Sequence, residues 1–130
     1  MTARQKIEWI TNNWYGFAVV SAIFSVLFNG FGIFRMFLTA FGLAFSLGLT
    51  WMLGKLLLAR SSLTRFVLVI ASVLGIAGHG LMLGWSAWSF LSDWSFGLII
   101  KGAVSLVCLM MHARSFKVLI DKDVKSYIAS

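Results

Sequence analysis

The sequence has very few of the groups that carry enzymatic or redox chemistry. Only four of its 130 residues are Asp or Glu, one is Cys and none is Pro. A single cysteine excludes an intramolecular disulfide and any metal site built from several cysteines. No carboxylate lies inside a long apolar run, which argues against a proton-driven transporter, because such proteins place Asp or Glu at membrane depth. The absence of proline argues against proline-broken transporter helices.

Catalytic motifs are also missing. The chain contains no HExxH motif, no P-loop, no paired carboxylates and no Ser, His and Asp set near one membrane interface. We therefore expect a protein that is not an enzyme and that holds no metal ion and no cofactor. The net charge of +7 does not predict nucleic-acid binding, because no basic stripe is long enough to follow a phosphate backbone.

Long apolar runs dominate what is present. The chain is 60% hydrophobic and 12% charged, whereas soluble domains are about 25% charged. Its mean hydropathy is +0.93. Four runs are long enough to span a bilayer and use most of the chain, so we predict one integral membrane domain over residues 1–130. The predicted helices cover residues 3–28, 33–59, 63–91 and 96–113.

The remaining residues, 114–130, have the pattern of an amphipathic helix. Apolar side chains recur on one helical face at Phe116, Ile120, Val124 and Ile128, and the charged residues Lys117, Asp121, Lys122 and Lys125 lie elsewhere. A helix of this kind lies in the interface between lipid and water. We therefore predict that the tail rests on the membrane surface.

Basic residues are distributed unequally between the two sides of these predicted spans. Nine of the eleven lie on the side that holds both termini, and only Arg35 and Lys101 lie elsewhere. Basic residues are retained on the cytoplasmic side of membranes, where they contact anionic headgroups. The bias predicts an all-α, four-helix bundle with both termini in the cytoplasm, in a membrane such as the bacterial inner membrane. Its expected lipid partner is the anionic headgroup layer.

Small residues form ridges on the two central helices. Such ridges allow close helix packing in lipid, where no hydrophobic force drives helices together. Helix 2 has two ridges and helix 3 has two, so helix 2 is predicted to contact two neighbours closely. The ridge residues that we predict to form a partner-binding face are Gly42, Ser46, Thr50, Gly54, Gly80 and Gly84. The ridges can equally serve packing among the four helices themselves.

A polar stripe runs along helix 4. Lys101, Ser105, Cys108 and His112 fall within about 80° on a helical wheel, and a lysine within a span is costly unless it snorkels, meets water or finds a partner. One interpretation is a hydrated groove that favours anions. The other is that Lys101 snorkels to the surface while Ser105 and Cys108 pack as small residues. Asp93 is the nearest possible partner for Lys101.

His79 lies in the middle of helix 3, between two glycines. An intramembrane histidine can ligate haem, relay protons or bond to a neighbouring helix. We place His112 several ångströms away in depth, which argues against a haem bound by both histidines, so a hydrogen bond between helices is expected for His79.

Two functions follow from these patterns. The first is a non-enzymatic inner-membrane protein that acts through helix–helix contacts, as an accessory subunit of a membrane assembly or as an immunity or exclusion factor. The alternative is a homo-oligomeric pore or small-solute channel, lined by the polar face of helix 4. The sequence leaves open whether the partner is another protein or a second copy.

Overall fold

A computed structural model describes residues 1–130 and contains only helices. The five helices are α1 (Ala3–Asn29), α2 (Ile33–Leu58), α3 (Ser62–Ser92), α4 (Phe96–Leu119) and α5 (Lys122–Ala129). Helices α1 to α4 are long and apolar enough to cross a membrane. The predicted all-helical class, with four helices long and apolar enough to span a membrane, is therefore confirmed.

The predicted ends of the first three helices agree with the structure within one residue, whereas the fourth differs. Helix α4 continues to Leu119, past the end expected near Ala113. The first part of the predicted tail is thus a continuation of α4, and only α5 is a separate helix. The chain turns at Ile120, and the Asp121 side chain caps α5 by accepting a hydrogen bond from the backbone N–H of Asp123.

The turns between helices have local causes. Gly30 follows α1 with a φ of +85°, a conformation that glycine adopts without a steric penalty, and the chain turns here, between the first two predicted helices. Between α2 and α3, Arg60 adopts a φ of +65°. Its guanidinium lies 4.9 Å from the centre of the Tyr127 ring. The Ser61 hydroxyl then caps α3 by accepting from the backbone N–H of Thr64.

The four long helices form two hairpins. Helix α1 packs along α2, and α3 packs along α4. Helices α2 and α3 have little contact with each other although they are consecutive, so the prediction that α2 packs closely on two neighbours is wrong. We call the end that holds both termini the terminal end, and the end that holds turns 30–32 and 93–95 the loop end.

The apolar core lies at the terminal end, where the hairpins meet. Its buried side chains are Ile7, Ile10, Leu57, Leu119, Val124 and Ile128. Two of these belong to α5, so the apolar face of α5 packs against the other helices. Elsewhere the buried residues are mainly small and polar, while Phe, Leu and Trp side chains face outward. That distribution suits a chain whose exterior contacts lipid rather than water.

Polar contacts also hold α5 against the hairpins. Lys6 Nζ lies 2.8 Å from a carboxylate oxygen of Asp121 and 2.8 Å from one of Asp123. The Tyr127 hydroxyl donates to the Leu58 carbonyl at 2.8 Å, and Arg65 Nη1 donates to the Leu119 carbonyl at 3.0 Å. The Lys6 and Tyr127 contacts connect α5 and its cap to α1 and α2 in addition to its apolar packing, and the Arg65 bond connects α3 to the end of α4.

Candidate functional site: a cleft between two helix hairpins

The residues of the polar stripe on α4 lie in different environments in the structure. Ser105 and Cys108 are buried, on the same helical face as Gly102 and His112, which both contact α3. Lys101 is exposed and makes no hydrogen bond or ion pair, and its predicted partner Asp93 is exposed and unpaired as well. The stripe therefore does not line one continuous groove within this chain.

His79 and His112 lie together. Their imidazole rings stack with centroids 5.5 Å apart and planes inclined by 19°. The expected separation of several ångströms in depth does not keep the rings apart, because side chains on a helix lean toward its N-terminus. Since α3 and α4 are antiparallel, His79 leans toward the terminal end and His112 toward the loop end, and their rings meet.

Gly75 makes room for this pair. A Cβ atom added at Gly75 would lie 2.6 Å from three ring atoms of His112, closer than any carbon contact tolerates. The His112 ring therefore packs directly on the α3 backbone. The chain contains no group of three or more His, Cys, Asp or Glu side chains arranged to hold a metal ion. The pair joins two helices and exposes part of the His112 ring toward the space between the hairpins.

That space is a cleft of about 670 Å³. Helices α1 and α2 form one wall, and α3 and α4 form the other. The lining contains many small or hydroxyl-bearing side chains, namely Ala18, Ser21, Ala22, Ser25, Thr39, Gly42, Ser46, Thr50, Ala71, Ser72 and Ser115. His112 and Met111 lie on the wall formed by α4.

A hydrogen bond crosses the cleft near the terminal end. Trp14 Nε1 on α1 donates to Ser115 Oγ on α4 at 2.7 Å. Trp14 also packs against the apolar core, so this bond closes the cleft on that side. Toward the loop end the hairpins are joined by no comparable contact. Ser25 and Thr39, 3.4 Å apart, connect α1 only to its own partner α2.

The predicted ridge residues fall into three environments. Gly42, Ser46 and Thr50 line the cleft. Gly54 is buried against Thr11 of α1, whose methyl carbon would lie 2.8 Å from an added Cβ. On α3, a Cβ at Gly80 would just touch Leu109 at 4.0 Å, and Gly84 has open space around it. The six residues that were predicted to form a partner-binding face therefore lie in three places: the cleft, the contact between α1 and α2, and the outer side of α3.

Sequence reasoning missed several residues of the site. Ser72 and Ser86 on α3 are buried, Ser72 at the cleft and Ser86 beside Gly102 of α4, and Trp14 on α1 supplies the donor of the bond across the cleft. Ser72, Gly75, His79 and Ser86 recur at intervals of three, four and seven residues, which places them on one helical face. This spacing is the feature of the sequence from which the α3 residues of the site could have been predicted.

The fold defines the class: an all-helical protein with four helices that are long and apolar enough to cross a membrane and a cleft between its two hairpins. Comparison with protein-family models, curated proteins and solved structures found no match to the chain.

Proposed function

We propose that this non-enzymatic membrane protein holds a membrane-spanning helix of a partner protein in the cleft between its hairpins. It would act as an accessory subunit of a membrane assembly or as an immunity or exclusion factor. The observation that supports this proposal is the lining of the cleft. Small and hydroxyl-bearing side chains let a second helix approach closely and offer it hydrogen bonds within the membrane.

The two faces of α2 differ in a way that favours a helix over lipid as the occupant. Phe34, Phe37, Phe41 and Phe45 point outward and are between 64% and 73% exposed, as expected of a surface that contacts acyl chains. The cleft face carries Gly42, Ser46 and Thr50 instead. A surface that met only lipid would gain nothing from small polar residues at these positions.

The shape of the cleft favours a different protein over a second copy. A two-fold dimer brings the same surface patch of each subunit together. Two concave clefts facing each other would leave the hollow unfilled, whereas the convex surface of a single partner helix fits it. Self-association through the cleft would need a different, head-to-tail arrangement.

We further propose that the terminal end faces the cytoplasm of a bacterial cell, with α5 at the inner membrane interface. The basic residues near this end support the orientation: Arg4, Lys6, Lys55, Arg60, Arg65, Arg114, Lys117, Lys122 and Lys125. Lys122 and Lys125 are exposed on α5 while its apolar residues pack inward, which leaves the two lysines free to meet anionic headgroups. Reporter fusions at the C-terminus test this orientation.

The pore alternative has weaker support. Ser105 and Cys108 are buried, and Lys101 lies apart from His112 on the outer surface. A pore lined by this stripe would require α4 to turn away from α3 and break the stacking of His79 on His112. No contact in the structure favours that rearrangement.

Site-specific photocrosslinking in native membranes tests the proposal. A photoreactive side chain at Ser46, inside the cleft, should crosslink to a transmembrane segment of another protein. The same group at Leu81, which is 77% exposed on the outer face of α3, should not. Crosslinks from Ser46 only to lipid, or only to a second copy, would contradict the proposal.

A matched pair of glycine variants tests the same contact. Neither Gly42 nor Gly48 has an atom within 4 Å of an added Cβ, so leucine at either position should leave the fold intact. Only Gly42 lines the cleft. Gly42→Leu should abolish the crosslink from Ser46, and Gly48→Leu should preserve it. Equal crosslinking in both variants would show that the cleft is not the contact surface.

A further inference from the structure

A second groove lies outside the cleft, between α1 and α4 near the terminal end. It has a volume of about 410 Å³, within the range of small-molecule sites. The groove is polar at one end and apolar at the other. Asn12, Asn13 and Arg114 lie toward the terminal end, and apolar side chains such as Phe17 and Val107 lie deeper.

The polar part of this groove contains an accessible amide side chain. Asn12 is exposed on α1, lines the groove and makes no side-chain hydrogen bond, whereas the amide nitrogen of its neighbour Asn13 is inaccessible from outside the chain. The Asn12 amide can therefore donate a hydrogen bond to an acceptor atom of another molecule. The only molecules that reach a groove facing the membrane are lipids and other membrane-dissolved molecules.

Arg114 lies in the same groove without a counter-ion. Glu8 pairs with Arg4, and both Asp121 and Asp123 pair with Lys6. The remaining carboxylate, Asp93, lies at the opposite end of the molecule. The site therefore offers a positive charge and an amide donor, and the chain contains no acid that could neutralise that charge.

The depth of these groups matches a lipid lying along the helices. Seven residues separate Arg114 from Val107, which corresponds to about 10 Å along α4. Helix α1 is about 40 Å long, so about 10 Å of it extends beyond a hydrocarbon core of about 30 Å. Asn12 and Asn13 then lie near the headgroup layer, and Phe17 and Val107 lie beside acyl chains.

We propose that this groove binds one anionic phospholipid, with its phosphate at Arg114 and Asn12 and an acyl chain along Phe17 and Val107. Charge complementarity and the accessible Asn12 amide specify the headgroup, and the apolar part of the groove specifies the chain. Phe17, Met111 and Ser115 line both this groove and the cleft, but the proposal requires no helix in the cleft, so it can fail or hold separately from the proposed function.

Native mass spectrometry of the full-length protein in detergent tests the site, with phosphatidylglycerol and phosphatidylcholine of identical acyl chains as probes. The wild-type protein should retain phosphatidylglycerol more strongly. Arg114→Gln should weaken that retention about fivefold, as expected for one basic contact at a lipid surface, and bring it near the phosphatidylcholine level. Asn12→Val should weaken retention of both lipids, because both contain phosphate and ester oxygens that the Asn12 amide can bond.

Lys117→Gln is the matched control, because Lys117 is an exposed basic residue on the same helix that does not line the groove. It should retain phosphatidylglycerol as the wild type does. Val107→Trp, which fills the apolar part of the groove, should lower retention of both lipids. Equal losses in Arg114→Gln and Lys117→Gln would indicate a diffuse charge effect and overturn the proposal. Equal retention of the two lipids by the wild type would overturn it as well.

Discussion

His112 of α4 packs face to face with His79 of α3, with ring centroids 5.5 Å apart, and its ring rests on the backbone at Gly75. This contact joins the two helices of the second hairpin near the middle of α3. It also presents part of the His112 ring to the cleft. The stability of the hairpin and the shape of the cleft wall therefore depend on the same few atoms.

Gly75→Ala should destabilise the protein by about 1–3 kcal/mol, because the new methyl group must displace the His112 ring. The measurement is thermal unfolding in detergent, followed by circular dichroism. Gly78→Ala is the control, since no atom lies within 4 Å of its added Cβ. It should be neutral or stabilising, because alanine is the better helix former. The prediction fails if the two variants unfold at the same temperature.

Gly54→Ala should also destabilise the fold, in this case by pushing α2 away from Thr11 on α1. The added methyl would meet the Thr11 methyl at 2.8 Å. Thr11→Ala removes that methyl, so the double variant should recover most of the loss. A double-mutant cycle on unfolding temperature measures the recovery. Additive effects of the two substitutions would show that these residues are not in contact.

The Trp14–Ser115 hydrogen bond should contribute about 1 kcal/mol to holding α1 against α4. Trp14→Phe should cost more than Ser115→Ala, because it also removes indole atoms that pack against the apolar core and leaves the buried Ser115 hydroxyl without a donor. The double variant should cost less than the sum of the two. Ser126→Ala, at an exposed position whose side chain makes no hydrogen bond, is the control and should unfold like the wild type.

The ion pairs of α5 predict a specific response to acid. The hydrogen bond from Lys6 Nζ lowers the pKa of Asp121 below its usual value, and the backbone N–H groups of Asp123 and Val124 act in the same direction. A lowered pKa in the folded state means that ionised Asp121 stabilises the folded protein above the unfolded-state pKa of about 4. That stabilisation is lost as the pH falls through the lower, folded-state pKa.

Hydrogen exchange of the α5 amides, corrected for intrinsic rates, should therefore be unchanged from pH 7 to about pH 5 and increase below about pH 4. Asp121→Asn keeps the helix cap but removes the charge, so its α5 should exchange faster already at pH 7. Glu8→Gln, which breaks only the exposed pair with Arg4, should leave α5 unchanged. Loss of protection in the wild type near pH 6 would contradict the assignment to Asp121.

Local patterns were enough to predict the helices and most of their ends. The turn at Gly30 and the cap at Ser61 follow from residues within one or two turns of the break. The end of α4 was predicted too early because Arg114 and Lys117 mark where apolar character ends, whereas the backbone can remain helical in a polar environment. Helix α4 therefore continues beyond the residue at which its apolar run ends.

The candidate site was predictable only in part, because helix packing depends on the direction in which each side chain points as well as on the residue types present. The ridge at Gly42, Ser46, Thr50 and Gly54 was recognised, but its spacing cannot tell that Gly54 contacts α1 while Gly42 faces an open cleft. His79 and His112 were assigned to different depths because counting residues ignores the lean of side chains in antiparallel helices.

The sequence by itself determined that this is a four-span, all-helical membrane protein with most of its charge at one end, because hydropathy and charge act residue by residue. Only the tertiary structure decided which faces of those helices meet. It buried Ser105 and Cys108, brought His79 onto His112 and left a cleft lined by small residues. Several pairings of similar small-residue faces satisfy the same sequence pattern, and the choice among them depends on how individual side chains such as Gly75 and His112 fit together.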